Sequence, residues 1–223
     1  MNRHIFLFGG GPPFTPKMAR LFKNFTNNGP IAILYVDRVG VEQYIPIYQQ
    51  GLAYDDGVTP FSLLPLPNTP LEKIAECLNQ SGGIIIGGGD TSEYAAYIVD
   101  TPIADLIKAR YKQGVPIAGF SAGALISLSH CIMSPNDNPN QTFQVRNGLG
   151  LLSDILIAVH FSQWQEEDHL KNIAQAFPNY HHYGMDEATC IYFKNEQLTQ
   201  LEGQGIYQLT KGKLQRLRST IND

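Results

Sequence analysis

The chain has 223 residues, and its composition, 43% hydrophobic and only 16% charged, excludes a disordered or fibrous protein. We expect residues 1–223 to form one domain, because this length supplies a sizeable hydrophobic core. The net charge of −4 offers no basic face for phosphates, so nucleic acid is not expected as a partner.

The cysteines and the apolar runs indicate the compartment. Cys77, Cys131 and Cys190 lie far apart without Cys-x-x-Cys spacing, which is typical of buried free thiols in a reducing environment. No apolar run reaches the length of a membrane span, and residues 5–8 form a strand pattern rather than a signal peptide. The sequence therefore predicts a cytoplasmic protein, a monomer or homodimer, with no membrane partner.

Short β-rich runs alternate along the chain with helical patterns, which predicts an α/β fold. Strands are predicted at residues 5–8, 31–36, 61–66, 83–86, 115–118 and 155–159. Helices are predicted at 16–25, 42–54, 71–80, 92–97 with 103–112, 122–129 and 166–177. The strands are apolar throughout instead of alternating, so we expect a doubly wound, mostly parallel sheet with helices on both faces.

The remaining segments read differently. Residues 190–193, 205–209 and 213–217 are short strand patterns separated by turn residues, which favours a small antiparallel meander at the sheet edge. Residues 134–150 are rich in Pro, Asn and Gly and predict a long loop.

Gly119-Phe120-Ser121-Ala122-Gly123 follows the apolar run 115–118 and precedes a helical pattern. A Gly-x-Ser-x-Gly sequence between a strand and a helix is the form of a nucleophile elbow, which exposes a serine hydroxyl at a sharp turn. The alternative is a small-residue turn in which the serine only caps the helix. The functional interpretation predicts acyl transfer by Ser121.

Three glycines end another buried strand, in Ile84-Ile85-Ile86-Gly87-Gly88-Gly89-Asp90-Thr91. The carboxyl edge of an open α/β sheet is where ligands bind, and consecutive glycines let backbone amides approach a phosphate or an oxyanion. No Gly-Lys-Ser/Thr follows, so this is not a Walker phosphate loop. A tight strand-to-helix turn without function is the alternative.

His160 ends the predicted strand 155–159, and so is expected at the same edge, where a general base for Ser121 is needed. A serine–histidine pair also needs a carboxylate to orient the imidazole. Asp137, in the Pro-Asn-Asp-Asn-Pro loop, is one candidate, and Glu187, in Gly-Met-Asp-Glu, is its rival.

In its ordered motifs the chain resembles the serine peptidase family that contains dipeptidase E and cyanophycinase. The matching segments are the Ile-Ile-Ile-Gly-Gly-Gly-Asp-Thr run, Gly-Phe-Ser-Ala-Gly-Ala, the Asn-Asp-x-Pro loop, the His-Phe pair at 160–161 and Gly-Met-Asp-Glu-Ala-Thr at 184–189. The resemblance implies a fold like class I glutamine amidotransferases. It also implies that Ser121 is the nucleophile, His160 the base and Asp137 the acid, with the Gly89 and Ala122 amides as the oxyanion hole.

The chain departs from that family after His160-Phe161. Cyanophycinase-like relatives carry an arginine run there for substrate carboxylates, whereas Trp164, Glu166 and His169 occupy the three arginine positions here. This acidic segment disfavours cyanophycin, and a neutral or basic peptide end is as compatible as an aspartyl one. The residues expected to bind substrate are Gly88, Asp90, Gln163, Trp164 and Glu187.

We therefore predict a serine exopeptidase that hydrolyses dipeptides or other short peptides, with Asp-Xaa dipeptides among its candidate substrates. No metal or organic cofactor is implied, because no cluster has metal-ligand spacing. Two alternatives stay open: a catalytically inactive amidotransferase-like protein that binds a small ligand, and a small α/β-hydrolase esterase.

Overall fold

The computed structural model describes residues 1–52 and 59–219, and within them thirteen strands and seven α-helices. The strands are β1 His4–Phe8, β2 Ile31–Val36, β3 Phe61–Leu66, β4 Gly83–Ile86, β5 Ile117–Phe120, β6 His130–Met133, β7 Gln144–Asn147, β8 Ile155–Ala158, β9 His181–Met185, β10 Cys190–Lys194, β11 Gln197–Glu202, β12 Ile206–Thr210 and β13 Lys213–Leu217. The helices are α1 Pro16–Phe25, α2 Ile45–Gln50, α3 Leu71–Gln80, α4 Thr91–Tyr94, α5 Ile103–Lys112, α6 Ala122–Ser127 and α7 Glu167–Ala176.

The main sheet has seven strands in the order β11-β10-β1-β5-β4-β2-β3. Strands β1 to β5 pair in parallel, and β10 and β11 add an antiparallel edge next to β1. Side chains of β1 alternate between two cores, with Ile5 and Leu7 in one and Phe6 and Phe8 in the other. This confirms the predicted α/β fold with a mostly parallel sheet, and it places the carboxyl ends of β1, β2, β4 and β5 along one edge.

A second sheet, in the order β13-β12-β9-β8, corrects two sequence predictions. The predicted strand 155–159 forms β8, which pairs with β9 instead of joining the main sheet. The predicted C-terminal meander is divided, because β10 pairs with β1 while β12 and β13 join β9. Burial differs accordingly: the first four residues of β10 are buried, whereas β12 has two buried residues and β13 has none.

Several predicted elements need new boundaries, among them the predicted strand 115–118, which is Ile117–Phe120 in the structure. The predicted helix 42–54 is a 3₁₀ turn, Val41–Gln43, followed by α2, whose first turn contains the proline that separates them; residues 53 and 54 lie outside the described residues. The predicted loop 134–150 contains the 3₁₀ turn Pro135–Asp137 and strand β7, which pairs with β6. Helix α6 ends at Ser127, two residues before the predicted end, because Leu128 is extended.

Two global features bear on the predicted compartment. All three cysteines are free and buried, as expected from their spacing. In the part of the chain that the structure describes, no helix has both the length and the hydrophobicity that a bilayer crossing requires.

Candidate active site

Ser121 lies at the turn between β5 and α6, with φ +48° and ψ −108°. The residues two positions before and two positions after Ser121, Gly119 and Gly123, must be glycine. A Cβ on Gly119 would lie 2.5 Å from the Gly123 carbonyl oxygen, and a Cβ on Gly123 would lie 2.3 Å from the Ile86 carbonyl oxygen. The sequence thus permits a strained serine conformation at the apex because strand and helix pack without side chains between them.

His160 follows β8 and directs its Nε2 to within 2.9 Å of Ser121 Oγ. Both residues have φ +48°, and both are held by the end of β1. The Ser121 amide donates to the Phe8 carbonyl at 3.0 Å, and the His160 amide donates to the Gly9 carbonyl at 2.8 Å. Two residues from different sheets are therefore positioned by successive carbonyls of one chain segment.

The carboxylate that contacts His160 belongs to Glu187, on the turn after β9. Glu187 Oε1 lies 2.7 Å from His160 Nδ1, and the His160 side chain is only 13% exposed against 53% for Glu187. The Glu187 amide donates to Gln163 Oε1 at 3.3 Å, which links this turn to the loop after His160. Of the two acids that the sequence offered, Glu187 is the one that the fold brings to the imidazole.

Asp137 has a different partner, so the structure does not support the predicted Asp137–His160 contact. Its Oδ2 accepts a hydrogen bond of 2.7 Å from Thr91 Oγ1, because the 3₁₀ turn Pro135–Asp137 packs against the start of α4. Burial raises the pKa of Asp137 to about 7, and the nearby Asp90 and Glu166 carboxylates add to the shift. Asp137 is therefore partly protonated near neutral pH and hydrogen-bonded to Thr91, and it does not contact Ser121.

The Gly87–Gly89 segment lies beside Ser121, since a Cβ on Gly88 would be 3.4 Å from Ser121 Cβ. Two tyrosines hold the segment: the Gly88 amide donates to Tyr48 Oη at 3.0 Å, and Tyr94 Oη donates to the Gly88 carbonyl at 3.4 Å. Burial raises the pKa of Tyr48 to about 12, which keeps its hydroxyl neutral. Sequence reasoning missed both tyrosines, because a lone aromatic in a helix is ordinarily core.

Trp164 covers one face of the imidazole. Its ring stacks on His160 with centroids 4.3 Å apart and an interplanar angle of 20°, and its amide donates to the His160 carbonyl at 2.8 Å. The stacking holds the ring of His160 between Ser121 and Glu187.

The other two positions at which the family resemblance implies arginine lie in the protein interior. Glu166 is 2% exposed and accepts hydrogen bonds from Ser134 Oγ at 2.9 Å and from Asn136 Nδ2 at 2.8 Å. His169 is buried, and burial lowers its pKa to about 4. Glu166, at the end of the loop, and His169, in α7, therefore have structural roles, and neither directs a positive charge towards Ser121.

Ser121 and His160 open into a cleft of about 550 Å³, whose lining residues are Gly11, Pro12, Pro13, Arg38, Tyr44, Gly88, Gly89, Ser121, His160, Trp164, Glu187 and Ala188. Of the predicted substrate-binding residues, Gly88, Trp164 and Glu187 are in this lining. The Asp90 side chain instead caps α4 by accepting from the Glu93 amide at 3.0 Å, and Gln163 contacts Glu187. Within residues 1–52 and 59–219, no cluster of three or more His, Cys, Asp or Glu side chains has the arrangement of a metal site.

A serine at a strand-to-helix turn, hydrogen-bonded to a histidine that contacts a carboxylate, is the arrangement found in serine hydrolases. The chain belongs to peptidase family S51, whose family model matches residues 5–201. This confirms the family resemblance that the ordered motifs predicted, and a match to this family over nearly the whole chain leaves no support for the α/β-hydrolase esterase.

Similar proteins agree with this membership. A cyanophycinase from Trichormus variabilis is 28% identical over 137 residues, which is 60% of this chain and 46% of the relative. A peptidase E from Actinobacillus pleuropneumoniae is 30% identical over 139 residues, 59% of this chain and 58% of the relative. The chain thus spans about half the length of these curated relatives. The crystal structure of a peptidase from an acI-B1 Actinobacterium shares the fold, with a TM-score of 0.75 and 21% identity over 99% of this chain and 96% of that one.

Proposed function

We propose that the protein is a serine exopeptidase that hydrolyses dipeptides or other short peptides with Ser121, His160 and Glu187 as its catalytic triad. The observation that carries the proposal is the continuous hydrogen-bonded series from Ser121 Oγ to His160 Nε2 at 2.9 Å and from His160 Nδ1 to Glu187 Oε1 at 2.7 Å. Membership of peptidase family S51 supplies the reaction class.

In the proposed mechanism, Ser121 Oγ attacks the scissile carbonyl carbon while His160 Nε2 accepts the hydroxyl proton. Glu187 stabilises the resulting imidazolium and fixes the tautomer in which Nδ1 carries hydrogen. The imidazolium then gives its proton to the leaving amine as the C–N bond breaks. Water hydrolyses the acyl-enzyme with the same base, which restores Ser121.

The amides of Gly89 and Ala122 are proposed to bind the tetrahedral oxyanion. Ala122 directly follows the nucleophile, and Gly89 ends the segment that lies beside Ser121. The Gly88 amide is already occupied by Tyr48 Oη, so Gly89 is the next donor along that segment. Each such donor contributes roughly 3–4 kcal/mol of transition-state stabilisation.

The size of the substrate follows from the cleft. A volume of about 550 Å³ accommodates a few residues, and Trp164 and the Gly11–Pro13 segment are part of its wall. Short peptides, including Asp-Xaa dipeptides, are therefore the proposed substrates. Buried free cysteines agree with the proposed cytoplasmic location, where such peptides arise from protein turnover.

Hydrolysis of a dipeptide panel with acidic, neutral and basic N-terminal residues tests the proposal. We expect Ser121→Ala to lose turnover and keep its fold by circular dichroism. Ser129→Ala should keep full activity, because Ser129 is half-buried outside the cleft lining and its hydroxyl donates to the Ser153 carbonyl. Labelling by a fluorophosphonate should likewise require Ser121. Activity that survives Ser121→Ala would refute the triad, and a wild-type protein that neither labels nor hydrolyses would favour the inactive ligand-binding alternative.

A further inference from the structure

Arg38 follows the carboxyl end of β2 and lines the cleft beside the Gly87–Gly89 segment. A Cβ on Gly89 would lie 3.6 Å from Arg38 Nε, so the guanidinium group is adjacent to a proposed oxyanion donor. Arg38 Cζ also lies 5.5 Å from the centroid of Tyr44, another residue of the cleft wall. The aromatic ring supports the guanidinium from one side and leaves its hydrogen-bond donors for a ligand.

The charge of Arg38 has no counter-ion in the part of the chain that the structure describes. Among the cleft-lining residues, Glu187 is the acidic one, and its carboxylate is hydrogen-bonded to His160. Asp37, the neighbour of Arg38 in sequence, accepts a hydrogen bond of 2.7 Å from Asn68. The cleft therefore contains an uncompensated guanidinium group, which is a strong and geometrically selective ligand for a carboxylate.

The loop after His160 supplies no competing cation, because its three corresponding positions hold the stacked Trp164, the buried Glu166 and the buried His169. We propose that this chain recognises a substrate carboxylate through Arg38, from the loop after β2, instead of through the loop after His160. This inference rests on the proposed function, since it names the substrate class of the same site.

The position of Arg38 assigns the carboxylate to the acyl half of the peptide. His160 must protonate the leaving amine, so the leaving half lies against His160 and Trp164. Arg38 instead neighbours Gly89, on the segment that holds the carbonyl oxygen. A side-chain carboxylate on the N-terminal residue is the group of a dipeptide's acyl half that Arg38 would bind.

Two pairs of dipeptides that differ only in this group test the inference: Asp-Ala against Asn-Ala, and Glu-Ala against Gln-Ala. We expect the wild-type protein to prefer an acid over its amide, and Arg38→Gln to lower kcat/KM for the acids by about 10- to 100-fold. Hydrolysis of the amides should stay within about twofold, so the preference disappears. Arg38→Lys should retain part of it, because the charge remains while the planar donor pair is lost.

Arg20→Gln is the matched control, since Arg20 is exposed on α1 and is not in the cleft lining. An equal loss for acids and amides in Arg38→Gln, or no preference in the wild type, would overturn the inference. Calorimetric binding of Asp-Ala to Ser121→Ala, with and without Arg38→Gln, separates the two proposals. Binding that requires Arg38 in a protein without serine-dependent hydrolysis would support the carboxylate site and refute the peptidase.

Discussion

His160 and Glu187 are joined by a hydrogen bond of 2.7 Å between Nδ1 and Oε1, although 27 positions separate them in the sequence. In the proposed triad, this bond fixes the tautomer that leaves Nε2 free to accept the proton of Ser121. Glu187→Gln keeps the shape of the side chain and removes the charge that stabilises the imidazolium. We therefore expect kcat to fall by about 10²- to 10⁴-fold, with little change in KM, in steady-state kinetics.

Asp137→Asn is the matched comparison, because Asp137 was the acid that the family resemblance implied. Its amide oxygen can still accept the hydrogen bond from Thr91 Oγ1. If Glu187 is the acid, Asp137→Asn should change kcat less than about fivefold, far below the effect of losing a triad carboxylate. The reverse ranking of the two variants would restore Asp137 to the triad.

Trp164 is expected to act on catalysis by positioning His160. Trp164→Phe keeps an aromatic ring over the imidazole, whereas Trp164→Ala removes the stacking observed at 4.3 Å. We expect kcat to fall about fivefold in the alanine variant, corresponding to the roughly 1 kcal/mol that an aromatic pair contributes, and to recover largely in the phenylalanine variant. A change confined to KM in both variants would show that the ring contacts substrate and does not orient the base.

Asp137 should also make stability depend on pH. Its folded-state pKa, raised to about 7, lies above the ordinary value of an unfolded aspartate, so the folded protein holds this proton more tightly. The stabilisation is present below about pH 4, and it is lost as pH rises from there through 7. Asp137→Asn removes this loss. The free energy of unfolding at pH 8 minus that at pH 4 should therefore be about 1–3 kcal/mol more positive in Asp137→Asn than in wild type.

The pH dependence must be compared with that of wild type, because the titration of His169 changes the free energy of unfolding with pH in the opposite direction. Burial lowers its pKa to about 4, so its contribution is lost as pH falls from the unfolded value towards 4. Urea unfolding of both proteins across this range isolates the aspartate. Parallel pH curves for wild type and Asp137→Asn would contradict the prediction.

The elbow itself is expected to tolerate no added side chain. A Cβ on Gly123 meets the Ile86 carbonyl oxygen at 2.3 Å and the Gly87 carbonyl oxygen at 2.8 Å, and both are backbone atoms that cannot rotate away. Gly123→Ala should therefore lower the free energy of unfolding by about 3 kcal/mol or more. Gly11→Ala is the control, since nothing lies within 4 Å of a Cβ added there and its φ is not positive. Equal melting temperatures for the two variants would exclude the close packing.

The sequence predicts the main sheet well because its strands are buried on both faces and leave unbroken apolar runs. It identifies Ser121 and His160 as candidates because a serine between glycines and a histidine at a strand end both occur where parallel strands stop. Which carboxylate meets His160 depends on how a turn after β9 folds back, and the sequence carries no local signal for that. Arg38 was missed for the same reason: one arginine after a strand resembles any exposed loop cation.

The partner of β8 and of β12, which is β9 in both cases, could not be predicted for a different reason. An apolar run indicates that a strand is buried, but its partner is chosen by long-range contacts that the run does not encode. The C-terminal strands of the two sheets also differ in burial: the first four residues of β10 are buried, whereas in β12 the buried residues are Ile206 and Leu209.

The carbonyls of Phe8 and Gly9 accept hydrogen bonds from the Ser121 and His160 amides, respectively. Both residues are therefore held in place by the same chain segment. Because both amides are hydrogen-bonded to the segment that ends β1, their release requires that segment to move. The two amide hydrogens should therefore exchange with solvent at similar, slow rates, limited by opening of the central strand β1. Separation of His160 from Ser121 should then be about as rare as opening of the sheet core.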